Sequence, residues 1–223
     1  MTWKPTAEQA AWYGKEFIVW GESMGRWHGA RPLALTQENL EKIWNLHKKH
    51  ESLFNDNIDR SYERFERYMV MRARLPTEIV SIPDMEHVGL LYLTDPVVAS
   101  ETEDKIVEVF GHFSFWDGDF AHRKDIVRRL IDVVSKAFKI HRLCVRIPTY
   151  ARGAIRAASK LGFGGYFLEE ISGKEYAVEG VLRDSVEFEG EWHDCVIMSL
   201  TGEELRWDSD LRQADPAQRP KNS

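Results

Sequence analysis

One stretch of the 223-residue chain sets titratable groups into an otherwise apolar run. Residues 105–116, KIVEVFGHFSFW, read as a long strand on their β-branched and aromatic content. Strict alternation would put Val107, Val109, Phe113 and Phe115 on one face and Glu108, His112 and Ser114 on the other. Such a polar row costs free energy unless each group finds a partner, so it is a candidate site. His112 changes charge near neutral pH and Glu108 is a carboxylate, so the chemistry on offer is proton transfer. A hydrogen-bonded structural histidine beside a solvated glutamate is the competing account.

Charge gives a second candidate. The net charge is −6, yet residues 121–160 hold eleven Lys or Arg against two Asp, so this segment carries +9 and the remainder −15. Concentrated positive charge inside an acidic chain suggests a local polyanion site and argues against general affinity for nucleic acid, although a pair of solvated helix faces would give the same count. The histidines and carboxylates lack the close spacing of a metal site. Cys144 and Cys195 fall in strand-like runs, where a small buried thiol is the ordinary explanation. A composition of 43% hydrophobic and 30% charged residues is that of a globular domain. No apolar run of membrane-spanning length occurs and the first residues do not form a signal peptide, so a cytoplasmic setting without membrane association is expected.

The elements that would position these groups can be read from periodicity. Residues 16–20 (EFIVW) read as a first strand, within a segment holding Trp3, Trp12, Trp20 and Trp27, and Gly21, Gly25 and Gly29 loosen the chain after it. Thr36 is placed to cap a helix over 37–51 with Leu40, Ile43, Trp44 and His47 on one face, and a second helix over 60–74 turns Tyr62, Phe65 and Met69 inward until Pro76 ends it. Strands are expected at 78–82 and 87–94, with turns at Asp95-Pro96 and Asp117-Gly118 bounding the long strand. An amphipathic helix over 122–138, a strand at 143–147 and a short helix ending at Gly162 come next. Residues 164–177 could add a strand pair. The expected organisation is an N-terminal extension (1–15), one domain (16–207) and a polar tail (208–223).

Residues 179–200, EGVLRDSVEFEGEWHDCVIMSL, read as a β-hairpin reversing at Gly190. Here the residue choice is distinctive: Glu179, Gly180, Arg183 and Asp184, then Gly190, Trp192, His193 and Asp194, then Met198 and Leu200. This pattern resembles the C-terminal signature of the GNAT superfamily of acyl-CoA N-acyltransferases, in the branch with ribosomal-protein, spermidine and some aminoglycoside acetyltransferases. The likeness spans roughly residues 16–200 and is strongest in the second half, where Leu161-Gly162-Phe163 joins it. It implies an α/β (α+β) fold with a mixed, splayed sheet of about seven strands flanked by helices.

The resemblance also implies a donor site. Acetyl-CoA would lie where the sheet opens beside the long strand, against Phe115 and Trp116, with its pyrophosphate at the start of the next helix over Arg123, Lys124, Asp125, Ile126 and Val127. The sequence departs from the family there, because Asp125 and Val127 stand where glycines usually let backbone approach phosphate. In the short helix Ala151 and Ala158 stand where the family often has Asn and Tyr. A general base would come from Glu108 or His112. The implied function is N-acetyl transfer to an amine on a small molecule or protein, the acceptor pocket being shaped by the tryptophan-rich N-terminal region and the first two helices. The alternative is a catalytically silent protein of this fold serving in a larger assembly.

Overall fold

The computed structural model describes residues 18–23, 26–49, 61–82, 86–98, 105–116 and 120–205. Trp3, Trp12, the Asp117-Gly118 turn and the proposed tail lie outside the described residues. The chain opens with β1 (Ile18–Ser23) and β2 (Arg26–Pro32), then α1 (Gln37–Lys49), α2 (Tyr62–Arg72), β3 (Arg74–Ile82), β4 (Glu86–Val98) and β5 (Ile106–Phe115). It continues through α3 (Phe120–Ala137), β6 (Arg142–Pro148), α4 (Arg152–Leu161), the small hairpin β7 (Phe167–Ile171) and β8 (Lys174–Val178), and the long hairpin β9 (Gly180–Phe188) and β10 (Glu191–Thr201). Eight strands form one sheet in the order β1-β2-β3-β4-β5-β6-β10-β9, and β7-β8 stands apart as a second. The main sheet thus exceeds the expected size because Gly29 lies inside a strand, β2, paired to both β1 and β3.

Two proline positions correct the sequence reading. The second helix ends at Arg72, where Ala73 turns extended, so Pro76 does not end it but lies in β3, at a register shift between Arg74 and Thr77. Asp95-Pro96 is not a turn. β4 runs through it as a bulge, with Asp95 at φ 53° and the register shifting between Thr94 and Val97. A bulge tolerates the missing proline N–H and bends the strand without ending it.

The sheet separates two cores. On one face α3 and α4 pack Val127, Leu130, Ile131, Val134, Ile155, Ala158 and Leu161 against Leu91, Leu93, Val109, Leu143 and Val196. On the other, α1 and α2 pack Leu40, Ile43, Trp44, Phe65 and Met69 against Leu90, Tyr92 and Trp116. Thr36 and Ser61 cap these last two helices through Asn39 N–H and Arg64 N–H. His47 is a core residue, edge-on to Phe65 and Trp116.

Helix α4 ends on Gly162 at φ 93°, a left-handed C-cap closed by its own N–H. The buried guanidinium of Arg128 from α3 lies against this glycine, 2.6 Å from where a Cβ would stand. A cation at a helix C-terminus opposes the partial negative charge of its last carbonyls.

Candidate functional site

Strands β5 and β6 are parallel and pair over three positions, Glu108 with Arg142, Val109 with Leu143 and Phe110 with Cys144. Beyond Phe110 they part. Gly111 to Phe115 remain paired to β4, while β6 stays paired to β10 as far as Pro148. Among the described residues no strand bonds the other edge of 111–115, so the sheet opens as a fork.

A cleft of about 500 Å³ lies at this fork on the face of α1 and α2. Helix α2 lines it with Arg64, Arg67, Tyr68, Met71 and Arg72, a stripe at i, i+3, i+4, i+7 and i+8 distinct from the buried Phe65 and Met69. Strands β4 and β5 contribute Thr94, Asp95, Phe110 and His112; Arg146 of β6 and Ser185 and Val186 of β9 close the other wall.

His112 is held from two sides. Its Nε2 shares a 2.9 Å hydrogen bond with Thr94 Oγ1, and its ring stacks on Tyr92 at 4.6 Å and 3°. Tyr68 stands edge-on at 6.5 Å. The cross-strand pairs Tyr92 with His112 and Thr94 with Phe110 explain why these side chains share one face.

Glu108 lies on the same strand where β5 and β6 are still paired, four residues and about 13 Å of extended chain away from His112. Its carboxylate takes Arg142 Nη1 at 3.0 Å; Arg142 Nη2 reaches Glu179 at 3.2 Å, and Ser199 Oγ donates to Glu179. Glu108 is absent from the cleft lining, so of the two groups read on this strand only His112 lines it. The alternation breaks only at the start of β5: Ile106 and Val109 both enter the core because the register shifts opposite Val97 and Val98, and Val107 does not. Cys144, beside Glu108, is buried, and burial together with that carboxylate pushes its thiol up to about 12. It stays protonated and is no nucleophile at neutral pH.

Much of the hairpin signature has a mechanical explanation. Between the pairs His193 with Val186 and Cys195 with Leu182, Arg183, Asp184 and Ser185 of β9 stand opposite Asp194 alone. Asp184 adopts φ 43°, its N–H donates to Asp194 Oδ1 at 2.9 Å, and Arg183 donates to Asp194 Oδ2. These bonds, the Asp184 amide first and then Arg183, hold the Asp194 carboxyl below its ordinary value. The bulge carries Ser185 to the cleft, where its buried Oγ has no hydrogen-bond partner among the described residues.

The proposed donor residues are distributed unevenly. Phe115 packs against the α3–α4 core, whereas Trp116 is buried in the opposite core beside His47. Helix α3 begins at Phe120, two residues earlier than its periodicity indicates, so among the described residues the amides without an intrahelical acceptor are those of 120–122. Of the five residues read at the helix start, Arg123 falls in that first turn; Lys124 is half-buried, Asp125 lies in the second turn, and Ile126 and Val127 are core side chains. The basic segment likewise resolves into separate places: Arg128 at the end of α4, Arg142 in the carboxylate network, Arg146 in the cleft, and exposed helix residues such as Arg129 and Arg156. Among the described residues no cluster could hold a metal ion and no helix is long and apolar enough to cross a membrane. The cleft's arginine stripe has no distinct sequence signal, since the periodicity of α2 marks only its apolar face of Tyr62, Phe65 and Met69.

The forked sheet with helices on both faces is the fold of the GNAT N-acetyltransferases. In particular, the chain is similar to the spermidine N-acetyltransferase of Vibrio cholerae in complex with CoA and spermine, at TM-score 0.58 and 14% identity over 80% of this chain and 97% of that one. It is similar to the ribosomal-protein-S5-alanine acetyltransferase of Vibrio fischeri, at TM-score 0.59 and 13% identity over 85% and 99%. Mycobacterium smegmatis RimJ in complex with CoA-disulfide gives TM-score 0.58 and 16% identity over 82% and 86%. No family model and no curated protein matches the sequence.

Proposed function

We propose that this chain is an acyl-CoA-dependent N-acetyltransferase, moving an acetyl group from acetyl-CoA to an amine by direct attack in a ternary complex. The observation that carries this reading is the fork between β5 and β6, with the acid–base group His112 at its mouth. The β5 edge at 111–115 leaves backbone N–H and C=O groups that can pair with an amide-bearing pantetheine arm, as a strand would. Arg123 and the first-turn amides of α3 are assigned to the pyrophosphate, with Lys124 adding charge; Asp125, Ile126 and Val127 serve as the helix body behind them. Phe115 and Trp116 end the strand on which the donor lies. The Vibrio cholerae and Mycobacterium complexes named with CoA or CoA-disulfide support the assignment.

The donor supplies an activated thioester: the amine nitrogen bonds to its carbonyl carbon, the C–S bond breaks, and the thiolate leaves and takes up a proton. His112 accepts the proton that the incoming ammonium must lose, because only the neutral amine has the lone pair. Thr94 and the Tyr92 ring fix the imidazole orientation, which removes a reorganisation cost from that step. The acceptor is an amine on a small molecule or a protein.

Titration calorimetry with acetyl-CoA tests the reading, with saturable binding expected and CoA thiol release following when an amine is added. Absence of binding at millimolar donor overturns it. One observation favours the silent alternative: Ala158, at the position where the family often has Tyr, is a buried core residue. Donor binding without acyl transfer to any amine would select that alternative.

A further inference from the structure

The cleft is strongly cationic, and this bears on the acceptor. Helix α2 brings Arg64, Arg67 and Arg72 to one wall, and β6 brings Arg146 to the facing wall. Among the described residues that line it, Asp95 is the one acidic side chain, and it takes Arg72 at 2.6 Å. Four guanidinium groups against one carboxylate leave the lining at +3 with His112 neutral. The three α2 arginines span eight residue steps, about 12 Å along the helix. Guanidinium forks match the planar oxygens of carboxylate and phosphate, and they repel cations placed between them.

We infer that the acceptor is a small anionic amine, carrying carboxylate or phosphate oxygens within about 12 Å of the nitrogen that is acetylated. Cationic polyamines are selected against by the same charges. The cleft volume of about 500 Å³ lies in the usual range for small-molecule sites. The geometry sorts the two ends of such a molecule: its anionic groups meet α2 and Arg146 while its amine reaches toward His112 at the fork. Ser185 adds a hydroxyl on the β9 side.

This inference rests on the acyltransferase reading for the fate of the amine, but the binding it requires is separable. Calorimetry on the full chain with glutamate and with O-phosphoserine, each against spermidine, reads it without donor. One of the two anionic amines should bind at least about tenfold tighter than spermidine, and Arg67→Gln with Arg146→Gln should erase that preference; which amine wins distinguishes carboxylate from phosphate. Arg67→Lys with Arg146→Lys, retaining charge but losing the fork, should fall between, and substitutes if the Gln pair does not fold. Spermidine binding equally or more tightly, no binding of either anionic amine, or unchanged preference in the double variants overturns the inference. Acetyl-CoA binding with acetylation of spermidine in preference to glutamate and O-phosphoserine would overturn it while sustaining the acyltransferase reading; binding of the anionic amines without donor binding would do the reverse.

Discussion

The proton transfer proposed for His112 depends on the ring being both held and reachable. Thr94 Oγ1 and the face of Tyr92 supply the hold, and its place in the cleft lining supplies the reach. His112→Gln keeps the volume and the hydrogen-bonding capacity but removes the base. Acetyl transfer at neutral pH is expected to fall about 10²- to 10⁴-fold, with the calorimetric Kd for acetyl-CoA changing less than about twofold. A structural role alone would instead leave the rate near wild type. At this scale the sequence disclosed the candidates and not their partners. Glu108 and His112 are legible as polar groups on one face of an apolar strand, but the arginine that engages Glu108 comes from a strand 34 residues later and carries no local signal. The arginine stripe of α2 was hidden differently: YERFERYMVMR looks like the ordinary solvated side of an amphipathic helix until the fork supplies a facing wall.

The long hairpin is the element whose residues were easiest to recognise and whose purpose was hardest to read. Glu189 and Gly190 both take positive φ, 54° and 84°, between the paired Phe188 and Glu191, as a two-residue type I′ turn demands. That much is legible from alternation and a glycine. The bulge that gives Arg183, Asp184 and Asp194 their place is not, since a register shift in the middle of a hairpin leaves the hydrophobic pattern on either side intact. Asp194 makes the bulge pH-sensitive. Its folded carboxyl titrates below the ordinary 3.8, so its contribution to stability is complete above that value and is lost as pH falls through the lower folded value. Asp194→Asn is expected to lower the unfolding free energy by about 1 kcal/mol at pH 7 and to remove this part of the acid dependence. Urea unfolding followed from pH 7 to pH 3 measures both; parallel pH curves for the two proteins would contradict the assignment.

Across the whole molecule, two cores lie on opposite faces of the one forked sheet. α3 and α4 carry one core and α1 and α2 the other, so the two approaches to the fork are furnished by different parts of the chain. The order of elements and the C-terminal hairpin make this architecture readable in outline. The splay itself is not a property of either strand: β5 and β6 each have ample β-forming residues, and they separate because β4 holds one while β10 holds the other. The strand edge left behind also has a kinetic signature. Among the described residues no strand faces the edge of Gly111 to Phe115 turned away from β4, and the amides on that edge should trade hydrogen for deuterium with solvent faster than their neighbours pointing toward β4. Saturating acetyl-CoA should slow those same amides and leave the others unchanged, so that the stalled exchange traces, residue by residue, the length of edge the donor occupies. Uniform exchange along the strand, indifferent to donor, would deny that the edge is open to it.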